Sequence, residues 1–295
     1  MSMKKWSLFA LIGILLFAAV APQGASADAV SGETVVTLGA DLTPDQRESI
    51  LQEMNVDSNV ETINVSIADI REYLHGKKSG NAPASGDNKA YSSARITLTE
   101  SGNGIQVQAT NVTRVTEQMY ANALLTAGVK DAQVYVTSPK PVTGTAALTG
   151  IMMAFEKASD QSISQEQREV ANEEMARTSE LGQKIGDQEK AADFMTQVKD
   201  EIAKKQPENK EEVREIVINV AGDLNINLNN QDTQNITNVM YKFSQLNIDW
   251  GSFGDQLNRL KEDLNKAFDT EQAQGFFDKF FAWLSDFFSS IFSTN

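Results

Sequence analysis

Cysteine is absent from this 295-residue chain, and histidine occurs once, at His75. Those two shortages remove several chemistries together. Without cysteine there is no disulfide framework, no thiol nucleophile and no thiolate metal ligand. A single histidine also rules out a zinc centre built from several imidazoles. Positive charge is in the minority, with 26 Lys and Arg against 40 Asp and Glu and a net charge of −14. A surface of that sign repels phosphate backbones, so no nucleic-acid partner is expected. Proline and glycine are too sparse, at 6 and 18 residues, for a low-complexity or fibrous chain.

The first residues carry the three parts that export machinery reads. Lys4 and Lys5 precede an apolar run from Trp6 to Val20, and Ala25-Ser26-Ala27 supplies small residues before Asp28. Residues 1–27 are therefore expected to be a secretory signal peptide cleaved near Ala27, placing the mature chain outside the cell or at its surface. The apolar run is shorter than the roughly 20 residues that span a bilayer, and Pro22 and Gly24 interrupt it. No cysteine follows it for lipid attachment. An exported chain without disulfides suits a Gram-positive bacterium.

The fold class expected is α+β. Residues 28–158 read as an α+β domain, and residues 159–295 as a helical domain ending in an aromatic amphipathic helix. Glu33–Leu38 and Thr62–Val65 have the β-branched character of strands, and a helix opens between them at Thr43-Pro44. A short helix runs from Ile67 to Leu74, and Gly76–Lys89 has the composition of a flexible loop. Ala94–Thr99 and Ile105–Ala109 alternate about Ser101-Gly102-Asn103-Gly104, which predicts a β-hairpin. A helix from Val115 to Ala127, a strand from Ala132 to Val136 and a helix from Thr145 to Ala158 follow. The pattern suggests a mixed sheet with helices on one face. Beyond Ser159 the strand signal nearly vanishes, and helices are expected at Ser164–Lys205 (broken near Gly182 or Gly186), Lys210–Val220, Asp232–Leu246, Phe253–Phe268 and Gln274–Phe292. Three segments share an apolar residue, a capping residue and an acceptor three positions on: Leu42-Thr43…Gln46, Ile163-Ser164…Gln167 and Leu228-Asn229…Asp232. Capping chemistry accounts for this recurrence better than a repeat does.

Four stretches carry a resemblance: Val36-Thr37-Leu38-Gly39-Ala40-Asp41-Leu42-Thr43-Pro44, Ala127-Gly128-Val129-Lys130-Asp131-Ala132, Pro141 through Ile151, and Asp223-Leu224-Asn225-Ile226. In this order they resemble the YpuA-like secreted proteins of Bacillus-type bacteria, a family of domains of unknown function. The resemblance covers nearly all of the mature chain. It implies an exported, envelope-associated protein and brings no catalytic residues with it.

The residues themselves offer no catalytic, cofactor or metal site. No Gly-x-Ser-x-Gly elbow occurs, and His75 reads as a helix-end residue beside a loop. Asp223–Asp232 imitates a calcium loop, but Leu228 stands where the turn needs glycine and Gln234 replaces the bidentate glutamate. Alternation of Leu224, Ile226 and Leu228 suggests a half-buried connector instead. Thr143-Gly144-Thr145 could face an anion at a helix start, but reads better as a helix-capping loop.

The segment that asks for a functional reading is C-terminal. Phe276, Phe277, Phe280, Phe281, Leu284, Phe287, Phe288, Ile291 and Phe292 fall on one helical face, with Trp283 at its edge. Each buried aromatic is worth roughly 2–3 kcal/mol of transfer free energy, so such a face does not stay in water. It can pack on the chain's own helices, pair with an envelope protein or a second copy, or make peripheral contact with a membrane. The expectation is a non-enzymatic, secreted, envelope-associated protein acting by protein–protein or surface association. The alternative is a carboxylate-dependent hydrolase of cell-wall glycan or peptide, since two of the 40 acidic residues could converge.

Overall fold

Three helices begin on the same local device. Thr43, Ser164 and Asn229 each accept from the backbone N–H three residues on, while the side chains of Gln46, Gln167 and Asp232 reach back to the capping residue's own N–H. The recurring sequence pattern is thus three capping boxes. They start α1 (Pro44–Glu53), α5 (Gln165–Ile185) and α8 (Asn230–Ser244).

A computed structural model describes residues 31–57, 59–75 and 89–267. In chain order the elements are β1 (Thr34–Gly39), α1, β2 (Glu61–Val65), α2 (Ile67–His75), β3 (Ser93–Leu98), β4 (Ile105–Ala109), α3 (Glu117–Thr126), β5 (Ala132–Thr137) and α4 (Thr145–Ser159). After α5 come α6 (Gln188–Lys205), α7 (Lys210–Asp223), α8 and α9 (Trp250–Ala267). The architecture is α+β: a five-stranded mixed sheet followed by helices.

The strand order is β2-β1-β3-β5-β4. β1 and β2 are parallel, joined through α1, and β4 and β5 are parallel, joined through α3; β3 lies antiparallel to both β1 and β5. This corrects the hairpin expected at Ser101–Gly104, because β3 and β4 are not neighbours. β5 enters between them, pairing Ile96 with Val134 on one side and Val107 with Val134 on the other. The glycines of the connecting loop serve another purpose: the N–H groups of Gly102 and Gly104 both donate to Asp131 Oδ1, at 2.9 and 2.8 Å.

The helices also cover both faces, not one. Val35, Ile96 and Val134 point to the side of α3 and α4 and join the main core. Val36 and Leu38 point the other way, against Ile50 and Met54 around α1. Successive residues of a strand face opposite sides, and β1 is buried from Val35 to Gly39, so a second covering element is required.

The main core runs without interruption from the sheet into the helices. Val134, Leu124 and Leu148 share one apolar cluster with Phe194, Val217 and Met240. α3 is the hinge of this arrangement: every residue from Gln118 to Thr126 is buried, with the sheet on one side and α5 and α6 on the other. Between α5 and α6 the chain breaks at Gly186, whose φ of 75° closes α5 in the left-handed conformation. Between α7 and α8, Leu224 and Ile226 are buried and Leu228 packs partly against the core.

Candidate functional site

The aromatic stripe Phe276–Phe292 lies outside the described residues, as do the export segment 1–27 and residues 76–88. His75 ends α2, as its position beside Gly76 suggested. The described residues concentrate their unusual chemistry elsewhere, in the helical layer.

α3 carries Gln118, Asn122 and Thr126 at successive four-residue steps, a polar stripe on a helix whose other residues after Glu117 are apolar or aromatic. That stripe faces α6, where Thr196 Oγ1 receives Asn122 Nδ2 at 2.7 Å and Gln118 Nε2 at 3.2 Å. One turn further along α6, Lys199 Nζ is 2.8 Å from the Asn122 carbonyl oxygen, 3.3 Å from Thr126 Oγ1 and 2.8 Å from Glu174 Oε1. Thr126 Oγ1 in turn donates to Glu174 Oε2. Lys199 and Glu174 are both sealed, at 0% and 1% exposure. Burial pulls the Lys199 ammonium below its ordinary value of 10.5, while the Glu174 carboxylate works against that shift.

An ammonium group has three N–H donors, and here three oxygens surround it. The lysine is fully engaged with α3 and α5, so it braces the two helices to α6 and presents no free amine. The rings of Phe243 and Phe253 close the remaining sides, with centroids 5.8 and 5.9 Å from Nζ. Trp250 completes an aromatic trio, 5.4 Å from Phe243 and 5.9 Å from Phe253.

Phe253 has a second neighbour. On its far side lies a cleft of about 240 Å³ framed by three turns: Ala127–Lys130 after α3, Gln161–Ile163 before α5, and Asn247–Asp249 before α9. Phe155, Ile163 and Phe253 form apolar walls, and Lys130 and Asp249 are exposed at its rim. Gly128 holds φ of 85° in the first turn, and a Cβ there would come within 2.9 Å of Gln167 Nε2, so glycine keeps this wall thin. Gln256, 7% exposed, also lines the cleft. Its Nε2 donates to Asp131 Oδ1 at 3.1 Å, which fixes the amide, and its Oε1 is shielded from water with no hydrogen-bond partner. A buried acceptor left in that state costs about 1–3 kcal/mol.

Two carboxylates on α6 are displaced from ordinary behaviour. Burial raises Asp193, against the opposing influence of Gln197 and Lys261. Burial and the nearby charges of Glu117 and Asp187 raise Glu189. Neither residue lines the cleft, where Asp249 is the carboxylate present. Among the described residues, no group of three or more His, Asp or Glu is placed to hold a metal ion, and no helix is long and apolar enough to cross a membrane.

Lys199, Glu174 and the α3 stripe belong to no motif visible in the sequence. The signal available was the four-residue spacing of Gln118, Asn122 and Thr126 among apolar neighbours, which places polar groups on a face that must be buried.

Fold and site together define an α+β protein in which a lysine-centred polar seam ties a mixed sheet's covering helix to a helical layer. The chain belongs to the family described as protein of unknown function (DUF1002), whose model matches residues 38–260. It is similar to the uncharacterized protein YpuA of Bacillus subtilis (strain 168), with 41% identity over 293 residues, covering 99% of this chain and 98% of that one. No solved structure matches.

Proposed function

We propose that this chain is exported and works at the cell envelope by association, with the aromatic C-terminal segment as its contact element for a protein partner or a second copy. The observation that carries this reading is the sequence itself, with an export pattern at one end and an aromatic stripe at helical spacing at the other. Among the residues whose side chains are described, Ile218 at 43% exposure is the one large apolar side chain left in solvent. The helical layer packs its own aromatics against one another, with Phe243 and Phe253 buried and Trp250 partly so. A face of nine large apolar side chains from Phe276 to Phe292 does not stay in water, and the surface of a partner is a way to cover it. The export pattern before Asp28 supplies the compartment. The net charge of −14 disfavours an anionic lipid surface as the partner.

The hydrolase alternative needs two carboxylates facing each other across a cleft. The cleft between the α3, α5 and α9 turns offers Asp249, and its Oδ1 is already occupied by the N–H groups of Gly251 and Ser252. Association is the better-supported reading.

Cell fractionation tests it, comparing the full chain with one ending before Gly275. The full chain is expected in the envelope fraction or in a larger assembly. The shortened chain is expected folded, monomeric and free in the medium. Identical partitioning and identical size for two folded chains would refute the role of the segment.

A further inference from the structure

We infer that Asn103 is a latent deamidation site, held intact by the Asp131 carboxylate, whose conversion unties the β3–β4 loop from α9. Asn103-Gly104 is the one Asn-Gly pair in the chain. With no Cβ on Gly104, its main-chain nitrogen can approach the preceding side chain unhindered. Asn103 is exposed, and among the described residues its side chain takes part in no hydrogen bond.

The reaction needs only water. The Gly104 nitrogen bonds to the Asn103 side-chain carbonyl carbon, and the bond from that carbon to Nδ2 breaks. The Gly104 amide proton leaves with Nδ2 as ammonia. Water then opens the imide at either carbonyl, giving aspartate or isoaspartate at position 103.

What opposes the first step is the hydrogen it removes. The Gly104 N–H donates to Asp131 Oδ1 at 2.8 Å, and the Gly104 carbonyl oxygen accepts from the Ala132 N–H at 3.0 Å. An imide nitrogen carries no hydrogen, so ring closure strips a donor from the carboxylate it faces. Loss of one charge-assisted bond of this kind slows the step about tenfold or more. The Gly102 N–H donates to the same oxygen at 2.9 Å, so the loop is fixed on both sides of Asn103.

The consequence follows from that shared atom. Asp131 Oδ1 also accepts from Gln256 Nε2 at 3.1 Å, and the Arg259 side chain of α9 lies against Gly102 and Gly104. Isoaspartate inserts a methylene into the main chain ahead of Gly104 and displaces its N–H from Asp131. It also adds a carboxylate beside the one that ties loop to helix. This inference does not depend on where the protein resides or on the aromatic C-terminal segment.

Peptide-resolved mass spectrometry of the mature chain from Asp28, incubated at mildly alkaline pH, tests it. The same chain unfolded in urea gives the unprotected rate. Asn103 in the folded chain should convert at least about tenfold more slowly than in urea, and Asp131→Ala should recover about tenfold. Asp131→Asn keeps an acceptor oxygen and should stay within about threefold of wild type. Gly144→Ala, destabilised at the α4 cap instead, should leave the rate unchanged, which separates the local brake from general unfolding. Chain converted in urea and refolded should exchange faster at the Gly104 amide and in α9 near Gln256. Conversion of folded wild type at the urea rate would overturn the inference. So would a rate slowed or unmoved in Asp131→Ala, an equal acceleration in Gly144→Ala, or unchanged exchange in α9 of the isoaspartate form.

Discussion

Lys199 on α6 meets Glu174 on α5 at 2.8 Å with both side chains closed off from solvent. A buried pair of this kind is costly to half-remove, because the surviving charge keeps its desolvation penalty and loses its partner. Lys199→Met and Glu174→Met should each destabilise the protein by about 3–5 kcal/mol in urea unfolding. The double variant should cost clearly less than the sum, since it leaves no orphaned charge. Additive losses would mean that the two residues act separately and that the brace is misassigned.

Tyr120 and Gly144 make a second tight relationship. The Tyr120 hydroxyl donates to the Gly144 carbonyl oxygen at 2.6 Å, and Gly144 itself sits at φ of 95° before α4. A Cβ at 144 would fall 2.4 Å from Val112 Cγ1 and 2.6 Å from the same hydroxyl. Gly144→Ala combines left-handed strain with overpacking and should cost about 3 kcal/mol or more. Tyr120→Phe loses the hydrogen bond alone and should cost about 1–2 kcal/mol. Thermal unfolding of the two variants measures the difference, and a Gly144→Ala variant as stable as wild type would contradict this packing.

What the sequence makes legible here is local chemistry. Thr43 with Gln46, Ser164 with Gln167, and Asn229 with Asp232 announce helix starts because a capping box is complete within four residues. The strand order is not legible in that way. Ser101-Gly102-Asn103-Gly104 has good hairpin composition, yet the partner of both flanking strands is β5, supplied from beyond α3. Nothing near residue 101 reports that Asp131 will take up two of its N–H groups. The polar seam is hidden for a related reason. Glu174 and Lys199 lie among Glu173, Arg177, Asp200 and Glu201, and read as ordinary solvated helix faces. Their burial comes from α3, more than 45 positions earlier in the chain, folding across both helices.

Asp193 gives a pH test. Burial raises its pKa from the ordinary value of 3.8, so the folded state holds the proton more tightly than the unfolded state does. The associated stability is fully present below 3.8 and is lost as pH rises through the raised folded value. Asp193→Asn keeps an acceptor oxygen for Gln197 Nε2, now 3.0 Å from the carboxylate, and removes the penalised charge. The variant should gain roughly 0.5 kcal/mol at neutral pH, measured by denaturant midpoint, because loss of attraction to Lys261 offsets part of the benefit. Wild type and variant should converge below about pH 4. A variant less stable than wild type at pH 7 would show that the Lys261 attraction outweighs burial.

Asp131 is where sheet and helical layer are tied by a single atom. Its Oδ1 accepts from Gly102 N–H, Gly104 N–H and Gln256 Nε2, at 2.9, 2.8 and 3.1 Å. The residue also holds φ of 45°, a conformation that Asp and Asn tolerate and Ala does not. Asp131→Ala therefore strands three donors and adds backbone strain, for an expected loss of about 2–4 kcal/mol. Asp131→Asn retains an acceptor oxygen and the backbone tolerance, and should cost about 1 kcal/mol. Hydrogen exchange locates the effect: the amides of Gly102 and Gly104 should lose protection in Asp131→Ala, and α9 should loosen near Gln256 in the same variant. If exchange changes only in the 101–104 loop, the Gln256 contact carries no load, and the link between that loop and α9 must run through Arg259, whose side chain lies against both glycines.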